Sequence, residues 1–189
     1  DNTLIDLTPQ NLVLDTGYQA RPTGADLSQF SHLETLPLFE REPVNLSLTS
    51  VRGGKVIDRN AGLIIGSGAT IHADPGASVA LSSDRMLTVF GTIDAPASNI
   101  DLTLQNGLDS DGFFPDKAIW LGSGAALNAP GAGVLTPNDL SLSTGIVREG
   151  GTVSLQAQEV MIVTATGSTI DVSGTHAQLR GLADDGGAS

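Results

Sequence analysis

From Val44 onward the chain alternates. Val44, Leu46 and Leu48 are apolar and Asn45, Ser47 and Thr49 are polar, the period-two spacing of a strand with one buried face. Ile100-Asp-Leu-Thr-Leu104 repeats that pattern. Further strands are predicted over 63–65, 78–81, 86–90, 118–121, 140–142, 153–155 and 160–163, with turns such as Gly53-Gly54 between them. Residues 1–43 are less regular. Leu4, Ile5 and Leu7, then Leu12, Val13 and Leu14, alternate weakly, and Pro22, Pro37 and Pro43 break up the stretch from Tyr18 to Pro43. A short helix is expected over 26–36, with Asp26 as its N-cap.

A phrase recurs along the regular part. It reads Gly66-Ser-Gly-Ala-Thr-Ile-His-Ala-Asp-Pro-Gly76, then Gly91-Thr-Ile-Asp-Ala-Pro96, Gly122-Ser-Gly-Ala-Ala-Leu-Asn-Ala-Pro-Gly131 and Gly167-Ser-Thr-Ile-Asp-Val-Ser-Gly174. Each copy is a turn, a short strand with one inward aliphatic, and another turn. A unit that small cannot bury its apolar side alone, so copies must stack. Aligning Ile71 with Ile93 gives one step, and Leu127 to Ile170 reads as two, so the period is roughly 20 residues. The longer step from Ile93 to Leu127 places a loop insertion at about 105–117. The expected fold is all-β: a right-handed parallel β-helix, or solenoid, with a less regular N-terminal flank. Its divisions are an irregular flank or cap over 1–43, repeats over 44–175 and a flexible tail over 176–189. Some six coils at about 4.8 Å per strand would make a rod roughly 30 Å long. A β-sandwich would not carry the same phrase at a regular period, and the Leu-x-x-Leu-x-Leu spacing of leucine-rich repeats is absent.

Composition narrows the partners. Aromatic residues are 4% of the chain, so Val, Ile, Leu and Ala must fill the core. The net charge of −12 and the presence of only two lysines, Lys55 and Lys117, argue against nucleic acid, which needs clustered cations on its phosphates. Without Cys there are no disulfides or thiolate metal sites. Cysteine-free chains also suit export across membranes in an unfolded state. No apolar run approaches the roughly 20 residues of a membrane span. The absence of an initial Met and of a finishing element reads as a piece of a longer protein.

Candidate chemistry is sparse. Asp109, Asp111 and Asp116 have some look of a Ca²⁺ loop, because hard cations want several carboxylates together. The terminal Glu of the EF-hand pattern is missing, and a polar surface loop is the favoured reading. Asp74, Asp94, Asn128 and Asp171 recur at equivalent or neighbouring phrase positions and could form an acidic ladder, as a polysaccharide lyase or hydrolase needs. Local bonds from Asp and Asn to turn backbone account for the same pattern. Lys55, Lys117 and the scattered arginines form no repeating basic row. His32, His72 and His176 lack metal-ligand spacing, and Asp184-Asp185 reads as tail. No Ser has a nucleophile-elbow context, and Gly66-Ser-Gly-Ala lacks the Lys and helix of a phosphate loop. No catalytic, cofactor or metal site is therefore expected. Phe113, Phe114 and Trp120, beside the insertion, are a candidate adhesive patch; packing against the side of a coil explains them equally.

The phrases in 118–131 and in 150–157 with 167–174 resemble the shaft repeats of filamentous haemagglutinin-like exoproteins of Gram-negative bacteria. The resemblance covers about residues 44–175. It implies a large secreted cell-surface protein, exported by the two-partner route through an outer-membrane transporter. It implies an adhesive or spacer shaft with no catalysis and no cofactor, whose partners are host or neighbouring-cell surfaces, glycans among them. The Asn-Pro-Asn motifs of the family's secretion domain are absent, so an internal segment is expected. No functional residue carries over. The alternative is a carbohydrate-active β-helix enzyme, a lyase or hydrolase, acting on extracellular polysaccharide.

Overall fold

The computed structural model describes residues 3–16, 19, 23–51, 62–105, 117–137, 143–157 and 160–178. Among them the structure is all-β and has no α-helix. Three parallel sheets dominate. Sheet I contains β1 (Leu4–Asp6), β6 (Thr70–His72), β9 (Thr92–Asp94), β12 (Ala126–Asn128) and β17 (Thr169–Asp171). Sheet II contains β4 (Leu46–Ser50), β7 (Ser78–Ser83), β10 (Asn99–Leu104) and β15 (Thr152–Ala157). Sheet III contains β5 (Leu63–Ile65), β8 (Met86–Val89), β11 (Ala118–Leu121) and β16 (Met161–Thr164). Along the chain the order is I, II, III and back to I, and none of the sheets closes on itself.

This order follows from the phrase. Each copy supplies one aliphatic to the same register position of sheet I, giving the column Ile5, Ile71, Ile93, Leu127, Ile170. Sheet II adds Leu46, Val79, Ile100 and Val153, with Leu48, Leu81, Leu102 and Leu155 beside them. Sheet III adds Leu63, Leu87, Ile119 and Ile162. The middle members of these columns are completely buried and form one core. The outermost are not: Ile162 and Ile170 are about half exposed, because no strand stacks beyond them. Fully burying such a side chain contributes about 1.5–3 kcal/mol.

Small residues make the corners. The turns from sheet III to sheet I contain Gly68, Gly124 and Gly167 at φ of 77°, 82° and 89°, where a Cβ is strained. The turns from sheet I to sheet II bury Ala73, Ala95 and Ala129 one above another.

Several expectations are corrected. Leu127 pairs directly with Ile170, so that interval is one step and not two. The excess chain is an antiparallel hairpin of β13 (Ala132–Pro137) and β14 (Ser143–Arg148). Instead of six stacked levels, each of the three parallel sheets has four or five strands among the described residues. The predicted strand at 140–142 lies outside the described residues, as does all of the insertion at 106–116. The interval from Ile93 to Leu127 is one step, as the sequence spacing required.

The short helix over 26–36 is also corrected. Only Leu27–Phe30 is helical, as a 3₁₀ turn, and Asp26 caps it by accepting a 3.0 Å hydrogen bond from the Ser28 N–H. β3 (Ser31–Thr35) then pairs antiparallel with β2 (Gln10–Leu14). Pairing with a complementary strand outweighs weak helical propensity in so short a segment. Within residues 1–43, β1 is an edge strand of sheet I. The 3₁₀ turn Leu38–Glu40 packs on β13.

Candidate functional site

The outward positions of the three sheets differ in chemistry. Sheet I presents Asp6, His72, Asp94, Asn128 and Asp171 in one register. Sheet II presents Thr49, Ser82, Thr103 and Gln156 in one register, and Ser47, Ala80, Asp101 and Ser154 in another. Sheet III instead presents Ile64, Thr88, Trp120 and Val163, flanked by Met86, Ala118 and Met161. Hydroxyl and charged residues are the ordinary choice for the wet face of a strand, so an apolar column there needs a reason.

These sheet III side chains and Phe90 line an open groove of about 340 Å³. Ile64 is 57% exposed, Met161 53%, Trp120 41% and Phe90 39%. Phe90 is placed by an exception to the repeat. The turn between β8 and β9 is only Phe90-Gly91, whereas the corresponding turns at 66–69, 122–125 and 165–168 are longer. The Phe90 ring lies against Gly122, where any side chain would collide with it. Among the described residues the groove contains no charged side chain, and Thr88 is its one hydroxyl residue. Its chemistry is burial of apolar surface, about 25 cal/mol per Å².

Trp120 is therefore on an apolar face, in a β-strand and on the groove wall. Phe113, Phe114, Asp109, Asp111 and Asp116 lie outside the described residues, as do Lys55, Asp184 and Asp185. The sequence reading missed Phe90, Ile64, Met86 and Met161. The signal was the parity of Met86-x-Thr88-x-Phe90 and Met161-x-Val163: these residues alternate with the inward Leu87, Val89 and Ile162 and are apolar on both faces.

The acidic ladder exists in part. Asp94, Asn128 and Asp171 share one register; Asp74 lies in the next turn, buried and paired with Arg41 at 2.9 Å. The ladder carboxylates are engaged locally. The Asp6 carboxylate accepts from the Thr8 hydroxyl at 2.6 Å and the Thr8 N–H at 3.0 Å, which hold its pKa below the ordinary 3.8. Asp171 accepts from the Ser173 N–H at 2.9 Å, with the same effect. Asp94 pairs with His72 Nδ1 at 3.1 Å. His32 meets Asp15 at 2.8 Å on the β2–β3 hairpin, and His176 lies in the segment after β17, so the histidines occupy three different parts of the molecule. Lys117 is buried beside the start of β11. Among the described residues no group of three or more His, Cys, Asp or Glu side chains could hold a metal ion.

A second feature occurs at the corner between sheets I and II, where both hairpins leave the stack. The segment following β3 places Leu38, Phe39, Arg41 and Pro43 against the turn containing Asp74 and Pro75, and against Val134, Ile146 and Arg148 of the β13–β14 hairpin. Together they enclose a cleft of about 100 Å³.

No protein-family model, curated protein or solved structure matches this chain. Among the described residues no helix is long and apolar enough to cross a membrane.

Proposed function

We propose that the three sheets are the walls of a right-handed parallel β-helix, and that the chain is a structural and adhesive segment of a large secreted, surface-displayed bacterial exoprotein of the filamentous haemagglutinin-like kind. The single observation that carries the adhesive part is the apolar outward face of sheet III. It is set on a rigid stack whose other two faces are polar. The repeated phrase and the in-register parallel columns support the β-helix, and the resemblance of the phrases supports the family and its two-partner export. The segment acts without catalysis or a cofactor, and its partners are surfaces of host or neighbouring cells. The engagement of Asp6, Asp94 and Asp171 with neighbouring groups weighs against the alternative, a β-helix lyase or hydrolase of extracellular polysaccharide.

The test uses labelled protein and intact epithelial and bacterial cells. Saturable binding that falls at least roughly tenfold in Trp120→Asp, with the thermal transition unchanged, supports the adhesive reading. Binding that is absent, or indifferent to that substitution, removes it. Turnover of acidic polysaccharides, with or without Ca²⁺, would replace it with the enzymatic alternative. A crystal structure decides the handedness and closure of the helix.

A further inference from the structure

We propose that the sheet III groove binds a single unbranched alkyl chain, presented by a monomeric amphiphile with an uncharged headgroup. The inference rests on the reading of sheet III as the binding face and names what that face takes. Register makes the groove narrow. In one outward column Ala118 lies between Met86 and Met161; in the other, Thr88 lies between Ile64 and Trp120. Each column thus sets a small residue between two long ones. Thr88 and Ala118 are 5% and 7% exposed, whereas Ile64, Trp120 and Met161 beside them are about half exposed. The small residues are the floor of a furrow and the long ones its walls. Thr88 is on β8 and Ala118 on the neighbouring β11, one register position apart on that face, so the furrow crosses the strands obliquely. The flexible thioethers of Met86 and Met161 adapt such a wall to a chain that lies against it.

Size and chemistry select the occupant. Sheet III is four strands wide among the described residues. At about 4.8 Å between strands and about 3.3 Å per residue, four strands of about four residues cover roughly 200 Å². A stable protein interface takes about 800 Å² from each partner. The outward columns of sheets I and II are polar, so the apolar patch ends with sheet III. It is too small by itself to hold a second copy of this chain or another protein. The volume of about 340 Å³ instead falls in the range of small-ligand sites. An extended peptide would need backbone partners, which the edge of a sheet supplies and its face does not. A sugar would leave most of its hydroxyls unpaired, since Thr88 is the one hydroxyl residue in the groove among the described residues. An alkyl chain has no polar group to satisfy, and its binding grows with each methylene buried. The net charge of −12 repels anionic headgroups, and no charged side chain of the groove, among the described residues, would offset that repulsion.

The experiment titrates the full chain with octyl, nonyl and decyl β-D-maltoside, each below its micelle concentration, and follows the emission of Trp120. Maltose is the control. The expected result is a saturable blue shift with every alkyl maltoside and none with maltose. Half-saturation should fall about twofold to fourfold per added methylene. In Ala118→Leu, which fills the floor of the furrow, the affinity for decyl maltoside falls at least roughly tenfold. If that variant does not fold, Thr88→Leu serves, because it fills the floor from the neighbouring strand. No saturable shift, an affinity indifferent to chain length, an equal response to maltose, or a response that survives the blocking substitution overturns the proposal. Tighter binding to phosphatidylcholine vesicles than to decyl maltoside makes the face a membrane contact and overturns it. A dimer in sedimentation that decyl maltoside dissociates makes the occupant a second copy and overturns it too. The adhesive reading is judged separately. Cell binding that needs Trp120, without any alkyl response, overturns the alkyl ligand and leaves the adhesive face standing. An alkyl response in a protein that binds no cells supports the ligand and removes the adhesive role.

Discussion

Leu127 lies directly beneath Ile170 in the register of sheet I, just as Ile71 lies beneath Ile93, although the first pair is about twice as far apart in sequence. The β13–β14 hairpin absorbs the difference. Its base is closed by the bond from the Gly151 N–H to the Ala129 carbonyl at 2.8 Å, so the chain leaves and re-enters the stack at one point. Excising residues 132–148 and joining Gly131 to Glu149 is therefore expected to preserve cooperative unfolding and the far-ultraviolet dichroism of a β protein. The loss of contacts with Leu38–Glu40 should lower stability by about 1–2 kcal/mol. A chain that no longer folds after excision would mean that the hairpin takes part in the core.

Position in a column sets the cost of truncation. Ile93 is completely buried between Ile71 and Leu127. Ile93→Ala should lose about 2–5 kcal/mol, the removed methyl and methylene groups plus the cavity. Ile170 has one neighbour strand and is 47% exposed, so Ile170→Ala should lose about 1 kcal/mol or less. Urea unfolding of both variants, with unchanged denaturant slope, measures the contrast. Equal losses would show that the ends of the stack are covered as well as its middle.

Ala97 is the one non-glycine residue with positive φ among the described residues, at 51°. Its neighbour in the preceding turn is Gly76 at φ 92°, which donates its N–H to the Pro96 carbonyl at 3.1 Å. The next turn has Gly131 in the equivalent place, and the Ala97 N–H donates to the Pro130 carbonyl at 2.7 Å. Gly76 and Ala97 thus hold the left-handed conformation at two successive levels, the first as glycine and the second as alanine, whereas Gly131 does not adopt it. Ala97→Gly is expected to stabilise the protein by about 0.5–1 kcal/mol, since relief of backbone strain outweighs the added unfolded-state entropy. Thermal melts at matched pH test the sign; a lower midpoint would contradict it.

The local carboxylate bonds fix the sign of an acid effect. Asp26 and Asp171 each accept from a backbone N–H two residues on, and this holds both below the ordinary value of 3.8. Asp6 is lowered in the same way, first by the Thr8 hydroxyl. A carboxylate with a lower pKa in the folded state contributes stability that is fully present above the unfolded value. That contribution is lost as pH falls through the folded value. Carboxyl ¹³C titrations should therefore give midpoints below 3.8 for all three residues, and stability should fall as pH drops beneath that value. Midpoints at or above 3.8 would show that these bonds do not persist in solution.

The stacking was legible in the sequence because the period-two alternation and the recurring Gly-x-Ile-Asp phrase both report local geometry. The strand at 100–104 needed nothing beyond that alternation, those at 63–65 and 118–121 showed as short continuous apolar runs, and Ile71 beneath Ile93 needed only the spacing of two phrases. Intervals interrupted by a hairpin were not legible. Residues 132–148 carry the same short apolar runs as the repeats, and only pairing direction distinguishes them. The groove was half legible. Trp120 stood out by residue type, while apolar residues on both faces of their strands hid that Ile64, Met86 and Met161 belong to the outward face. The contact of Arg41 with Asp74 joins a turn to the segment after a hairpin, and no periodicity connects them.

Trp120 is the only tryptophan in the chain, so its fluorescence reports directly on the sheet III groove. Trp120 is 41% exposed and lines the groove together with Phe90 and the two methionines. An apolar dye such as anilinonaphthalene sulfonate should bind the native protein at this groove and quench Trp120 by energy transfer, with fluorescence that does not require denaturant. Phe90→Ser and Met161→Ser each remove part of the wall from a half-exposed position. They should weaken dye binding roughly threefold to tenfold, a loss of about 1 kcal/mol each for the apolar area withdrawn, with little change in melting temperature. Dye binding that is absent in the native state, or that leaves Trp120 emission unaltered, would show that this face is not open to an apolar partner, and the adhesive role assigned to sheet III would lose its basis.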